Sequence, residues 1–197
     1  MSEHGYTATT ISMITELTGL PPSSIYFQFG SKENLLAEVL EHVATNIRLA
    51  VLPGARTSDG GRERIGLIRQ AFTGAPPGSS DSRRLLMMVA LQLSDSGDRV
   101  TEALQHIRRR RLDEWKRAII EIGDLPPDSE SCEEVERLAE FALAASDGWF
   151  LASQVVDEGH SRALGEVLTR TLSVLAQRAS ADLKARRPDR TPSPTGA

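Results

Sequence analysis

Apolar positions recur every three or four residues along this chain, with no strand-like alternation and no internal repeat. That period belongs to helices. The first clear case is Ile11, Ile14 and Leu17, one apolar face opening at Thr9, whose hydroxyl is placed as an N-cap. Gly19 follows at once, a residue suited to the left-handed conformation that ends a helix. Leu20 is the expected apolar plug of the turn. Pro21 and Pro22 are tolerated in a first helical turn and not in an interior, so the next helix starts near Pro22. In it Ile25 and Phe29 lie four apart and face inward, leaving Ser23, Ser24, Tyr26, Phe27 and Gln28 outward. Ser31 caps a long helix that carries Leu35, Leu36, Val39, Leu40, Val43 and Ile47 and runs to about Leu52.

The rest of the pattern is also helical. A short helix is expected from about Gly61 to Phe72, then a break at residues 73–80. Asp81 caps a helix holding Leu85, Met88, Val89 and Leu93, and Asp98 caps one continuing to about Ile122. Long helices follow at about Ser131–Asp157 and Ser161–Ala181. The tail from Ala185, rich in Arg and Pro, is expected to be disordered. The fold class is therefore all-α, with a helix-turn-helix head joined to a larger helical body.

The outward residues of the second short helix suit DNA. Serine and tyrosine hydroxyls contact phosphate oxygens. Gln28 has the two-pronged amide that pairs with adenine in the major groove, and Phe27 can touch a thymine methyl. Lys32 stands where a cation meets backbone phosphate.

The run Gly5-Tyr6-x-x-Thr9-Thr10-Ile11-x-x-Ile14, then Thr18-Gly19-Leu20, then Ser24-Ile25-Tyr26-Phe27-Gln28-Phe29-Gly30-Ser31-Lys32-Glu33-x-Leu35-Leu36, resembles the TetR/AcrR-type transcriptional regulators. The resemblance covers roughly residues 5–45; beyond it only the helical layout is similar. It implies that Thr9 or Thr10 grips phosphate, that Ser23, Ser24, Tyr26, Phe27 and Gln28 meet the major groove, and that Lys32 holds the backbone. The family carries one more helix before the Gly-Tyr pair, where this sequence has Met1–His4, so a three-helix head truncated at its N-terminus is expected. Pro21 and Pro22 stand where relatives show a serine cap and a basic residue, and Phe27 where many have a hydroxyl or an imidazole. The resemblance divides the chain into a DNA-binding head at 1–45, a ligand-binding and dimerisation body at 46–184, and a tail at 185–197.

Charge sharpens this picture. Net charge is −4, and up to residue 47 Lys32 is the only Lys or Arg, against Glu3, Glu16, Glu33, Glu38 and Glu41. Phosphate neutralisation supplies much of a DNA binder's affinity. Two readings stay open: a regulator, or a helical interaction module of the same fold that has lost tight DNA binding.

The last two expected helices look like a homodimer interface. Ala142, Ala144, Ala145, Ser146, Gly148, Ala152 and Ser153 are small enough for close helix approach, and Leu164, Val167, Leu168, Leu172 and Leu175 form an apolar stripe. The alternative is that both helices complete a monomer core. Candidates to line a site for a small-molecule effector are Met88, Leu91, Gln92, Arg111, Trp115, Trp149, Phe150 and Gln154. The competing role for each is ordinary core, and for Arg111 a pairing with a neighbouring acid.

Other chemistry has no support. His4, His42, His106 and His160 have no partners at metal-ligand spacing, and the single Cys132 completes neither a zinc site nor a disulfide. No phosphate loop, nucleophile elbow or catalytic residue set is marked, so neither an enzyme nor a cofactor is expected. No apolar run approaches membrane-spanning length, and no signal segment opens the chain. A cytoplasmic protein, with double-stranded operator DNA as partner, is expected.

Overall fold

The computed structural model describes residues 1, 4–46, 79–92, 98–126 and 132–186. Among them regular structure is entirely helical: α1 Gly5–Ala8, α2 Ile11–Thr18, α3 Pro22–Phe29, α4 Lys32–Asn46, α5 Ser79–Gln92, α6 Asp98–Gly123, α7 Glu133–Ser153 and α8 Glu158–Arg186. The expected helix at 61–72, its flanking loops, the stretch 47–52 and the tail beyond 186 lie outside the described residues.

The chain forms two compact units, with α6 contributing its residues up to Glu114 to the first and those from Trp115 to the second. The first unit holds α1 to α5. Its core is Leu36, Ala37, Leu40 and Val43 from α4, Leu85, Leu86 and Val89 from α5, and Val100, Ala103 and Ile107 from α6. These are the i, i+3, i+4 positions of each helix, the stripe that an amphipathic helix must hide. Tyr6 of α1 packs against this cluster, partly buried.

In the second unit, Trp115, Ala118 and Ile119 of α6 are buried, as are Val135, Leu138, Ala139, Ala142, Leu143 and Phe150 of α7 and Leu172, Ala176 and Ala179 of α8. Helices α7 and α8 pack on one another. Small residues permit close packing: a Cβ added to Gly123 would meet the Ala176 carbonyl oxygen at 2.8 Å. Three buried hydroxyls are satisfied within their own helices. Thr169 donates to the Gly165 carbonyl at 2.7 Å, Ser173 to Thr169 at 2.8 Å and Ser146 to Leu143 at 2.8 Å. Lys116 pairs with Glu136 at 2.8 Å, and the Trp149 indole N–H donates to the Ser161 carbonyl at 2.9 Å.

Several boundaries differ from expectation. The helix expected from Asp81 begins at Ser79, with Asp81 in its first turn. The helix expected from Ser131 begins at Glu133 and stops at Ser153. The last helix starts at Glu158 because Asp157 caps it, its Oδ1 accepting from the His160 N–H at 3.0 Å. That bond holds the Asp157 carboxyl below its usual range. The helix also continues to Arg186, so Ala185 and Arg186 are helical rather than part of a disordered tail. Burial of Ala176, Ala179 and Ser180 carries its inner face past the stripe that the sequence marks out.

Candidate nucleic-acid interface

The reading head is shaped by turn chemistry. Thr10, not Thr9, caps α2: its Oγ1 accepts from the Met13 N–H at 3.2 Å. Thr9 is 4% exposed, and its hydroxyl donates to the Gly5 carbonyl at 2.7 Å. That bond and its burial turn the Thr9 side chain inward, whereas Thr10 is exposed. Gly19 ends α2 at φ 71°, its N–H donating to the Thr15 carbonyl. Leu20, expected to plug this turn, is half exposed, and Leu17 is 87% exposed.

Pro21 lies in the extended region and Pro22 occupies the first turn of α3. Ile25 is buried and Phe29 partly buried, so the inner side of α3 is the one its sequence marks. Ser23, Ser24 and Gln28 are exposed, Tyr26 is 51% exposed and Phe27 94%. Gly30 turns the chain at φ 74°. Asn34 then stitches the turn: its Nδ2 donates to the Phe29 carbonyl at 2.9 Å, while its N–H reaches Ser31 Oγ at 3.0 Å. These bonds fix where α3 ends and α4 starts.

Lys32 is partly buried, with its Nζ 4.2 Å from the centre of the Tyr6 ring. The ring face attracts the ammonium. Burial pushes the Tyr6 phenol above its ordinary pKa, and the Glu33 carboxylate adds to that shift. Tyr6 thus presents a neutral ring beneath a cation on the first turn of α4.

Residues 1–39 match the family model described as bacterial regulatory proteins, tetR family. The head is that of a TetR-family DNA-binding transcription regulator, and its helix-turn-helix is α2, the Gly19 turn and α3. No curated protein matches the chain. The TetR-family match ends within α4, so the body is read from its own residues.

The effector candidates fall on both units. In the first, Met88 is partly buried, Arg111 is buried and Leu91 is 75% exposed. Gln92 is exposed, and its amide lies 3.3 Å from where a Cβ on Gly5 would stand, so it covers α1. In the second, Trp115 and Phe150 are buried. Trp149 is tied to Ser161, and the exposed Gln154 lies within 3.3 Å of Ser153 Oγ.

The faces that α7 and α8 bury and expose differ in part from their sequence reading. Ala142, Ser146 and Leu172 are buried inside the protomer, and Leu164, Leu168 and Leu175 are partly buried. An outward stripe remains at alternating three- and four-residue spacing on α7: Phe141, Ala144, Gly148, Leu151 and Val155 just past its end, all exposed. On α8, Ala163, Val167, Thr171 and Val174 are exposed. Sequence reasoning names Ala144 and Gly148 of this stripe but passes over Phe141, Leu151 and Val155. It also passed over Tyr6 and Asn34, although Asn34 stands at the third helical position after the Ser31 cap, where such bonds form.

No helix among the described residues is long and apolar enough to cross a membrane. No group of three or more His, Cys, Asp or Glu that could hold a metal ion is found among them.

Proposed function

We propose that this TetR-family regulator is a ligand-responsive repressor, acting in the cytoplasm as a homodimer on a palindromic operator and released from it by a small molecule. The observation that carries the DNA role is the outward face of α3. Five residues able to meet a duplex stand exposed on a helix pinned from behind by Ile25. The exposed apolar stripes of α7 and α8 support a second copy as partner, because two-fold pairing of such stripes buries them. Two heads then engage two half-sites of a palindrome. DNA binding is placed on residues 1–45, and effector binding and pairing on 46–184.

The effector acts through differential affinity. A ligand that fits one arrangement of the body better than the other moves the protein toward it, and only that difference in affinity shifts DNA binding. Gel-shift titration on duplex from upstream of the protein's own reading frame tests the scheme. Retention of that duplex, reversed by one compound from a thermal-shift screen, is the expected result. A compound that raises the melting temperature yet leaves DNA affinity unchanged in every case refutes release.

The interaction-module reading draws on the single cation of the head and the exposed Leu17 and Leu20. The same gel shift separates the two, since an interaction module retains no duplex even at low salt.

A further inference from the structure

Once α3 is taken as the DNA-reading helix, its exposed face has a definite chemistry. With 3.6 residues per turn, Phe27 lies opposite Ile25, beside Ser23 and Ser24, while Tyr26 and Gln28 flank it on opposite sides. None of these residues is Arg or Lys. The one Lys of the head, Lys32, begins the next helix and lies against the Tyr6 ring. Guanine is read in the major groove chiefly by Arg or Lys, which donate to its O6 and N7. That donor is missing from the reading face. What the face does offer is an amide, which pairs with adenine N6 and N7, and an aromatic ring, which packs on the thymine methyl. Phe27 is 94% exposed, so it packs against nothing in its own protomer. Its neighbours Ser23 and Ser24 are small, which lets the ring protrude as the deepest group of the face.

We propose that each half-site of the operator is specified by A·T base pairs, with Phe27 seated on a thymine methyl and Gln28 paired to an adenine edge. This rests on the DNA-binding reading and names what that reading recognises. Discrimination comes from apolar contact and neutral hydrogen bonds, and the hydroxyls of Ser23, Ser24 and Tyr26 set the register on the backbone.

The test is selection of duplexes from a random pool by the full chain, followed by base-analogue substitution in the selected site. A·T pairs are expected at the contacted steps of both half-sites. Replacing thymine by deoxyuridine there removes only a methyl group and should weaken binding about fourfold per contacted methyl, the equivalent of one buried carbon. The F27A variant should bind the thymine and deoxyuridine duplexes equally. Its stability should hold, because the ring it loses is exposed. Replacing adenine by 7-deazaadenine removes the N7 acceptor and should weaken the wild type but not Q28A. A selected site anchored on G·C pairs, or a wild type indifferent to deoxyuridine, overturns the proposal while leaving the regulator reading intact. Retention of no duplex from any pool overturns both.

Discussion

Within the first unit, α4 and the α2–α3 pair are held in different ways. Helix α4 buries Leu36, Ala37, Leu40 and Val43 against α5 and α6. Helix α2 buries no side chain, and α3 buries Ile25 alone. The difference follows from what each must do. A supporting helix can turn its whole apolar stripe inward. A reading helix must keep most of its circumference accessible to the duplex, so it has few anchors. The missing burial is offset by local structure: the Thr10 cap, the positive-φ turns at Gly19 and Gly30, and the Ser31 and Asn34 contacts at the head of α4.

The largest expected effect lies on the supporting side. Leu40 is fully buried in the core, so Leu40→Ala should cost about 2–5 kcal/mol, read as a lower midpoint in urea unfolding. Ile25→Ala removes a side chain of similar size at the edge of the head, and about 2 kcal/mol is expected. Its signature should be different. Amide exchange should quicken in α3 while the α4 and α5 amides keep their protection, because local opening in a sparsely anchored segment need not engage the core. Operator binding should fall with it. Equal loss of protection in all three helices would show that the head and the core are one cooperative block, and the contrast drawn above would fail.

A smaller effect is expected at the turn. Asn34→Ala removes the donor to the Phe29 carbonyl, a partly buried bond at 2.9 Å. About 1 kcal/mol should be lost. If turn chemistry orients α3, operator affinity should drop by more than the stability change implies for the folded fraction. A change in stability with unaltered DNA affinity would make Asn34 a cap and nothing more.

How much of this could be read from residues alone depended on the kind of force involved. The span of α3 follows from Pro22 and Gly30, whose backbone limits leave few options, and the residues it exposes follow from the spacing of Ile25 and Phe29. The first-unit core on α4, α5 and α6 follows from apolar period. Thr9 and Thr10 were not separable by pattern, since both are β-branched hydroxyl residues before the same apolar run. Only the positive φ of Gly5 and the bond to its carbonyl turn Thr9 inward. On α8 the leucine stripe fits either an interface or a monomer core by its spacing alone, and the structure buries Leu172 and partly buries Leu164, Leu168 and Leu175. With small residues buried on both helices, close packing takes up Leu172 as well, while Val167 and Val174 of α8 stay outside.

The smallest effect concerns charge in the head. With one Lys or Arg among the first 46 residues, the proposed dimer would bring about two phosphate-neutralising side chains to an operator. Each contributes a slope of about −0.9 in log affinity against log salt, so about −2 is expected where heavily basic binders show far steeper falls. Lys32→Gln should flatten it by most of that amount. Tyr6 holds the ammonium at 4.2 Å, an arrangement worth about 0.5–1 kcal/mol at exposed sites. Tyr6→Phe keeps the ring face and should keep operator affinity, whereas Tyr6→Leu should weaken it a few-fold. The same pair separates ring from hydroxyl in stability. The folded-state pKa of Tyr6 is raised, so the neutral phenol is the form the fold prefers. Its contribution is complete below the ordinary phenol pKa and is lost as pH rises from there through the folded-state value. Tyr6→Phe should remove that part of the alkaline decline in melting temperature. If Phe and Leu at this position behave alike in salt-dependent DNA binding, the ring does not position Lys32 and the cation reaches its phosphate unaided.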